Sequence, residues 1–119
     1  MSTKFAVISV WAEDVAATAH FYRDVLGLDL LSHHGSRPHF KIDGIYLTIL
    51  KGTTVPAQDA DPNRFPLFAF SVDNLDEMVK HLGQHGGALP WGIESRADER
   101  WAMFHDPAGN LIELVQFGE

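Results

Sequence analysis

Two stretches of the chain repeat one alternation of apolar and polar positions. After Ala12-Glu13-Asp14, apolar residues return at Val15, Ala19, Tyr22 and Leu26. Steps of four, three and four place them on one face of an α-helix. Asp14 stands where a cap would accept a backbone N–H, and Gly27 stands where a left-handed residue would stop the helix. Sixty residues on, Asn74 precedes Leu75, Val79 and Leu82, with Gly87 as the expected stop. The shift maps Asp14, Val15, Ala19, Tyr22 and Gly27 onto Asn74, Leu75, Val79, Leu82 and Gly87, so one supersecondary unit is used twice.

Strand patterns surround both helices in the same order. An apolar run precedes each helix, at 5–10 and 67–72, and three strand-like segments follow each one. The first set is 28–34, 38–42 and 45–51, with Asp43-Gly44 as a hairpin turn. The second is 88–94, 100–105 and 111–117, the last two joined by Asp106-Pro107-Ala108-Gly109-Asn110. Polar turn formers in GTTVPAQDADPNR (52–64) read as a linker. The plan is α+β, with module one at 1–51, a linker at 52–65 and module two at 66–119 in one domain. One β-α-β-β-β module alone buries its helix and sheet poorly, which favours two in one chain.

Bulk chemistry narrows the function classes. The 119 residues carry a formal charge of −7, and their nine Lys and Arg are scattered. Nucleic acid and anionic membranes, which need clustered bases, are therefore not expected partners. With no cysteine there is no thiolate nucleophile, disulfide or Cys-based zinc site. No serine elbow or phosphate loop is visible. The apolar run near the start meets acids too soon for a signal peptide, so the cytoplasm is the expected location.

The doubled plan, with HFYRDVLGL closing the first helix and DPAGNLIELVQ forming the last strand, resembles the vicinal oxygen chelate superfamily. That group includes glyoxalase, extradiol dioxygenases, fosfomycin resistance enzymes and bleomycin resistance proteins. The resemblance implies a cupped mixed sheet with the helices packed outside it. In metal-using members the ligands, His or Glu, come from the first and last strands of each module. Those positions here hold Val7, Leu67, Thr48 and Glu113, of which only Glu113 has ligand chemistry. A catalytic zinc or iron site needs about three protein ligands. No metal and no cofactor are therefore expected. Pairing across Asp43-Gly44 sets His39 opposite Thr48, and the same logic sets Met103 opposite Glu113 with Trp101 and His105 on its face. His39, His105 and Glu113 thus remain an alternative, non-standard metal set. In the tract Ser32 to His39, the adjacent His33 and His34 point to opposite strand faces and cannot clasp one ion.

A metal-free cup would offer aromatic and polar surface. Its expected face carries Val7, Ser9, Tyr46, Thr48, Leu67, Ala69, Trp101, Met103, Leu111 and Glu113, with His39 beside Thr48. Ser9 and Ala69 leave room, while Trp101 and Tyr46 offer stacking surface. Trp11 and Trp91 would form the rim, and Arg96 and Arg100 flank one edge. Core packing competes with ligand stacking for each aromatic, and a structural role competes with anchoring for Glu113. The expected function is binding of a small aromatic or cationic molecule, as bleomycin-type resistance proteins sequester drugs. The resemblance also implies a homodimer. The alternative is an enzyme of the superfamily (a lyase, isomerase or oxygenase) with an atypical metal site or with Glu113 as acid or base.

Overall fold

The computed structural model describes residues 2–32, 38–53 and 67–118. Contacts divide the chain into two compact units, Met1–Val55 and Pro56–Glu119. The first contains β1 (Val7–Ala12), α1 (Val15–His20) running into a π-helical turn at Phe21–Val25, β2 (Leu30–Ser32), β3 (His39–Ile42) and β4 (Ile45–Lys51). Its sheet runs β1-β4-β3-β2, with β1 parallel to β4 and the other pairs antiparallel. The second contains β5 (Ala69–Ser71), α2 (Leu75–Gln84), β6 (Ile93–Arg96), β7 (Glu99–His105) and β8 (Leu111–Phe117). Its sheet runs β5-β8-β7-β6, again with one parallel pair, β5 and β8. The chain is thus α+β and builds the β-α-β-β-β plan twice, each time with its own mixed sheet.

Strand alternation decides which sheet face is core. In β4, Leu47 and Ile49 are buried while Tyr46 is exposed; in β8, Ile112 and Leu114 are buried. The helices supply Ala19, Tyr22, Leu75 and Leu82, each no more than 1% exposed. Tyr22 meets Phe40 with ring centroids 6.0 Å apart. Burying a side chain of this size stabilises by about 1.5–3 kcal/mol.

Both caps form as expected. Asp14 accepts from the Ala17 N–H at 3.0 Å, and Asn74 from the Glu77 N–H at 3.1 Å. The helix ends differ. After α2 the left-handed residue is Gly86 (φ +80), not Gly87. Gly87 N–H donates to the Leu82 carbonyl at 2.8 Å and Gly86 N–H to Gly83 at 3.2 Å, a Schellman closure. In the first unit the expected Gly27 is left-handed (φ +76), but Leu26 N–H reaches back five residues to Phe21 and Leu28 N–H to Tyr22. This π-turn inserts one residue, so the sixty-residue repeat holds to Tyr22 and Leu82 and slips afterwards.

Other boundaries move for local reasons. The first strand begins at Val7 rather than Phe5 and continues to Ala12. The segment expected as a strand at 88–94 opens with a turn in which Gly92 N–H bonds the Leu89 carbonyl at 3.1 Å, so β6 begins at Ile93. β2 and β5 are shorter than expected, at Leu30–Ser32 and Ala69–Ser71. His33 and His34, and most of the expected linker, lie outside the described residues. Asp43 (φ 48) and Gly44 (φ 87) form the expected two-residue hairpin turn. The Asp106 carboxylate, almost fully buried, accepts from the N–H groups of Ala108 and Asn110 and from Asn110 Nδ2, closing the last hairpin. Among the described residues, no helix is long and apolar enough to cross a membrane.

Candidate functional site

In the first unit, the sheet face opposite the core carries Val7, Ser9 and Trp11 from β1. These lie beside Tyr46, Thr48 and Leu50 of β4. His39 of β3 pairs with Thr48 from the other side. Val7, Trp11 and Tyr46 are 47%, 51% and 42% exposed, so this face is open. Ser9 Oγ and Thr48 Oγ1 share a hydrogen bond of 3.0 Å. His39 and Tyr46 rings meet edge to face at 6.0 Å. Trp11 lies against Gly52, where an added Cβ would sit 2.7 Å from the indole, so this exposed ring is backed by main chain.

The equivalent face of the second unit is built around Glu113. Ala69 of β5 and Met103 of β7 are its direct strand neighbours. Neither can hydrogen-bond through its side chain as a donor, and no other described residue donates to the carboxylate. Trp101 pairs with Val115 and with Glu94, while Glu99 lies two residues before Trp101 on its face. Burial first, then the charges of Glu99 and Glu94, raise the Glu113 carboxyl above its ordinary value. His105 pairs with Leu111 on this same face and has its ring 6.2 Å from Trp91. Leu67 is exposed, two residues before β5.

The sequence pattern placed His39 opposite Thr48 and Met103 opposite Glu113, and the strands pair in that way. Glu94 and Glu99 do not follow from that pattern, because their places depend on where β6 begins and on the two-residue turn at Ala97-Asp98, where Ala97 takes φ 52. Among the described residues, buried Oε1 of Glu94 and Nε2 of His105 have no hydrogen-bond partner. The two arginines set aside for the edge have local partners. Arg100 grips Asp76 with two bonds of 3.1 and 2.9 Å, and Arg96 lies 3.8 Å from Glu99.

The donor set does not fit the metal centre used elsewhere on this fold. Val7 and Leu67 have no ligating atom, and the Thr48 hydroxyl is bonded to Ser9. Among the described residues no group of three His, Asp or Glu could hold an ion. His39 belongs to the first unit, whereas His105 and Glu113 belong to the second.

Known proteins share this architecture. The chain is 30% identical to the uncharacterized protein YaeR of Escherichia coli strain K12 over 119 residues, 92% of each chain. A glyoxalase/dioxygenase from Nostoc punctiforme superposes with TM-score 0.84 at 25% identity, covering 98% of this chain and 92% of that one. TnmS3, an antibiotic binding protein from Streptomyces sp. CB03234, superposes with TM-score 0.74 at 25% identity, covering 99% of both. A family profile aligns with residues 4–114, and with the doubled module already described it assigns the chain to the Glyoxalase/Bleomycin resistance protein/Dioxygenase superfamily.

Proposed function

We propose that the protein binds a small aromatic or cationic molecule without a metal, and that Glu113 and Trp101 hold it. The observation that carries this reading is the setting of Glu113. A half-buried carboxylate lies between Ala69 and Met103, with Glu94 and Glu99 adding charge of the same sign. A bound cation would relieve that repulsion and replace the missing donors. Trp101, directly opposite Glu94, supplies a ring on which a planar cation can stack. Met103 and Leu67 add apolar contact in this unit. In the first unit Tyr46, His39, Thr48 and Val7 give a second face suited to flat ligands. The likeness to an antibiotic binding protein supports sequestration as the role. A homodimer belongs to the same proposal, and sedimentation decides it.

One observation favours a second reading, an acid–base enzyme. The carboxyl of Glu113, raised above its ordinary value by burial and by Glu99 and Glu94, is a group that can exchange a proton with a substrate. The two readings separate in a titration of the purified chain with a cationic aromatic dye and its uncharged analogue. Binding predicts preference for the cation, lost in Glu113→Gln and weakened in Trp101→Ala. Equal affinity of both dyes for wild type and Glu113→Gln would overturn it. So would a stoichiometric zinc, iron, manganese or nickel ion whose occupancy falls in Glu113→Gln.

A further inference from the structure

Away from the sheet faces, the end of α2 gathers ligating side chains. The chain there reads His81-Leu82-Gly83-Gln84-His85. Residues four apart lie one above the other on a helix. Leu82 is 1% exposed and fixes the helix rotation, which leaves His81 half-buried and His85 exposed. Their rings meet, with centroids 4.7 Å apart and planes at 70°. His85 is the C-cap of α2, at φ −105 and ψ 19 outside helical values, and the ring contact shows that its side chain still meets that of His81. Neither imidazole is tied to another described residue by a hydrogen bond.

We propose that His81 and His85 chelate a borderline divalent transition metal, Cu2+, Ni2+ or Zn2+. Two imidazoles at this helical spacing can reach one ion at about 2.0–2.1 Å each. The surroundings favour a cation. The C-terminal end of a helix carries partial negative charge. An open groove of about 450 Å3 along the same helix is lined by Asp73, Glu77 and His81. The lysine of α2, Lys80, is next to His81 in sequence and so lies off the histidine row. Among the described residues no third protein ligand completes a cage, so water fills the remaining positions and the ion stays accessible. Nitrogen ligands select Cu2+ over Zn2+ and discriminate against Mg2+ and Ca2+.

Calorimetric titration of the chelator-stripped chain with Cu2+ and Zn2+ tests this, in wild type, His81→Ala, His85→Ala and Glu77→Gln. Losing even an outer partner of a ligating histidine costs about 10–100-fold in affinity. Each histidine variant should therefore lose the tightest site by no less, while Glu77→Gln keeps it. Sub-stoichiometric Cu2+ should broaden the amide signals around His85 first. Binding undiminished in His85→Ala assigns the ion to other histidines and overturns the proposal, as does competition by excess Mg2+. His85 is exposed at the helix end, so its alanine variant stays folded and the result is decisive even if His81→Ala is perturbed. Metal loss in His85→Ala but not in Glu113→Gln also keeps this site distinct from the sheet face.

Discussion

Ser9, Thr48 and His39 line up across three strands of the first unit as Ala69, Glu113 and Met103 do across three strands of the second. The backbone pairing is the same and the chemistry is opposite. In the first row every side chain is polar, and the Thr48 hydroxyl is satisfied by Ser9. In the second row the one ionisable group has apolar neighbours on both sides. A duplicated fold therefore does not duplicate a site. In the first row a hydroxyl has its partner within the row, whereas in the second the carboxylate has no donor beside it, which is the setting on which the proposed cation binding rests.

If the two units are equivalent as folds, their cores should fail alike. Phe40 pairs with Leu47, next to Thr48; Phe104 pairs with Ile112, next to Glu113. Both rings are no more than 1% exposed. Phe40→Ala and Phe104→Ala should each cost about 3–5 kcal/mol in denaturant melts. A large difference between them would break the structural symmetry on which the chemical contrast rests.

The next largest effect concerns the helix starts. Asp14→Ala and Asn74→Ala each remove one cap hydrogen bond and should each lower stability by about 1 kcal/mol. These caps were legible because Asp and Asn before an apolar helical row have one efficient use. β4 and β8 were legible to the residue, since period-two alternation and a flanking turn bound each of them. The π-turn was not, because nothing in Phe21 to Val25 distinguishes a bond to the fifth residue from one to the fourth. The choice of Gly86 over Gly87 escaped for a related reason. Both are glycines, and only the carbonyl of Leu82, 3.0 Å from a Cβ built on Gly87, shows what the second one is for. Around Glu113, the pairing with Met103 followed from hairpin register. Glu94 and Glu99 did not, because their position depends on where a loop ends and β6 begins.

Thr48 and Glu113 should respond with opposite signs. Thr48→Val removes the bond to Ser9 and should cost up to about 1 kcal/mol, independently of pH. Glu113 has a folded-state pKa above its ordinary value. The folded chain then binds that proton more tightly than the unfolded chain, so stability falls as pH rises between the two values. Below the ordinary carboxylate range the acid is protonated in both states and has no such effect. Above its raised value the full destabilisation is present. Glu113→Gln should therefore melt higher than wild type at neutral pH, with the advantage vanishing in acid. A Glu113→Gln chain that is less stable at neutral pH would make the acid a structural partner instead of an unfilled anchor.

The smallest effect tests whether the acidic character of the second unit lies in Glu113's surroundings or in its surface at large. Asp76 is also acidic and belongs to the same unit, but Arg100 binds it through two hydrogen bonds and so joins α2 to β7. Hydrogen bonding by Arg100 lowers the Asp76 carboxyl below its ordinary value; burial opposes it, and the Arg100 charge adds the smallest contribution, again downward. The sign is the reverse of that for Glu113. This contribution is complete above the ordinary carboxylate pKa and is lost as pH falls through the lowered folded value. Because the pair is exposed, salt screens it and the energy is small. Asp76→Asn should lower the melting temperature slightly at neutral pH and low salt, and not at all in strong acid. A cycle with Arg100→Gln isolates the pair from the favourable position of Asp76 in the first turn of α2. A coupling that persisted in strong acid would show packing rather than charge. The contrast between a paired surface acid and the unpaired Glu113 would then need another physical basis.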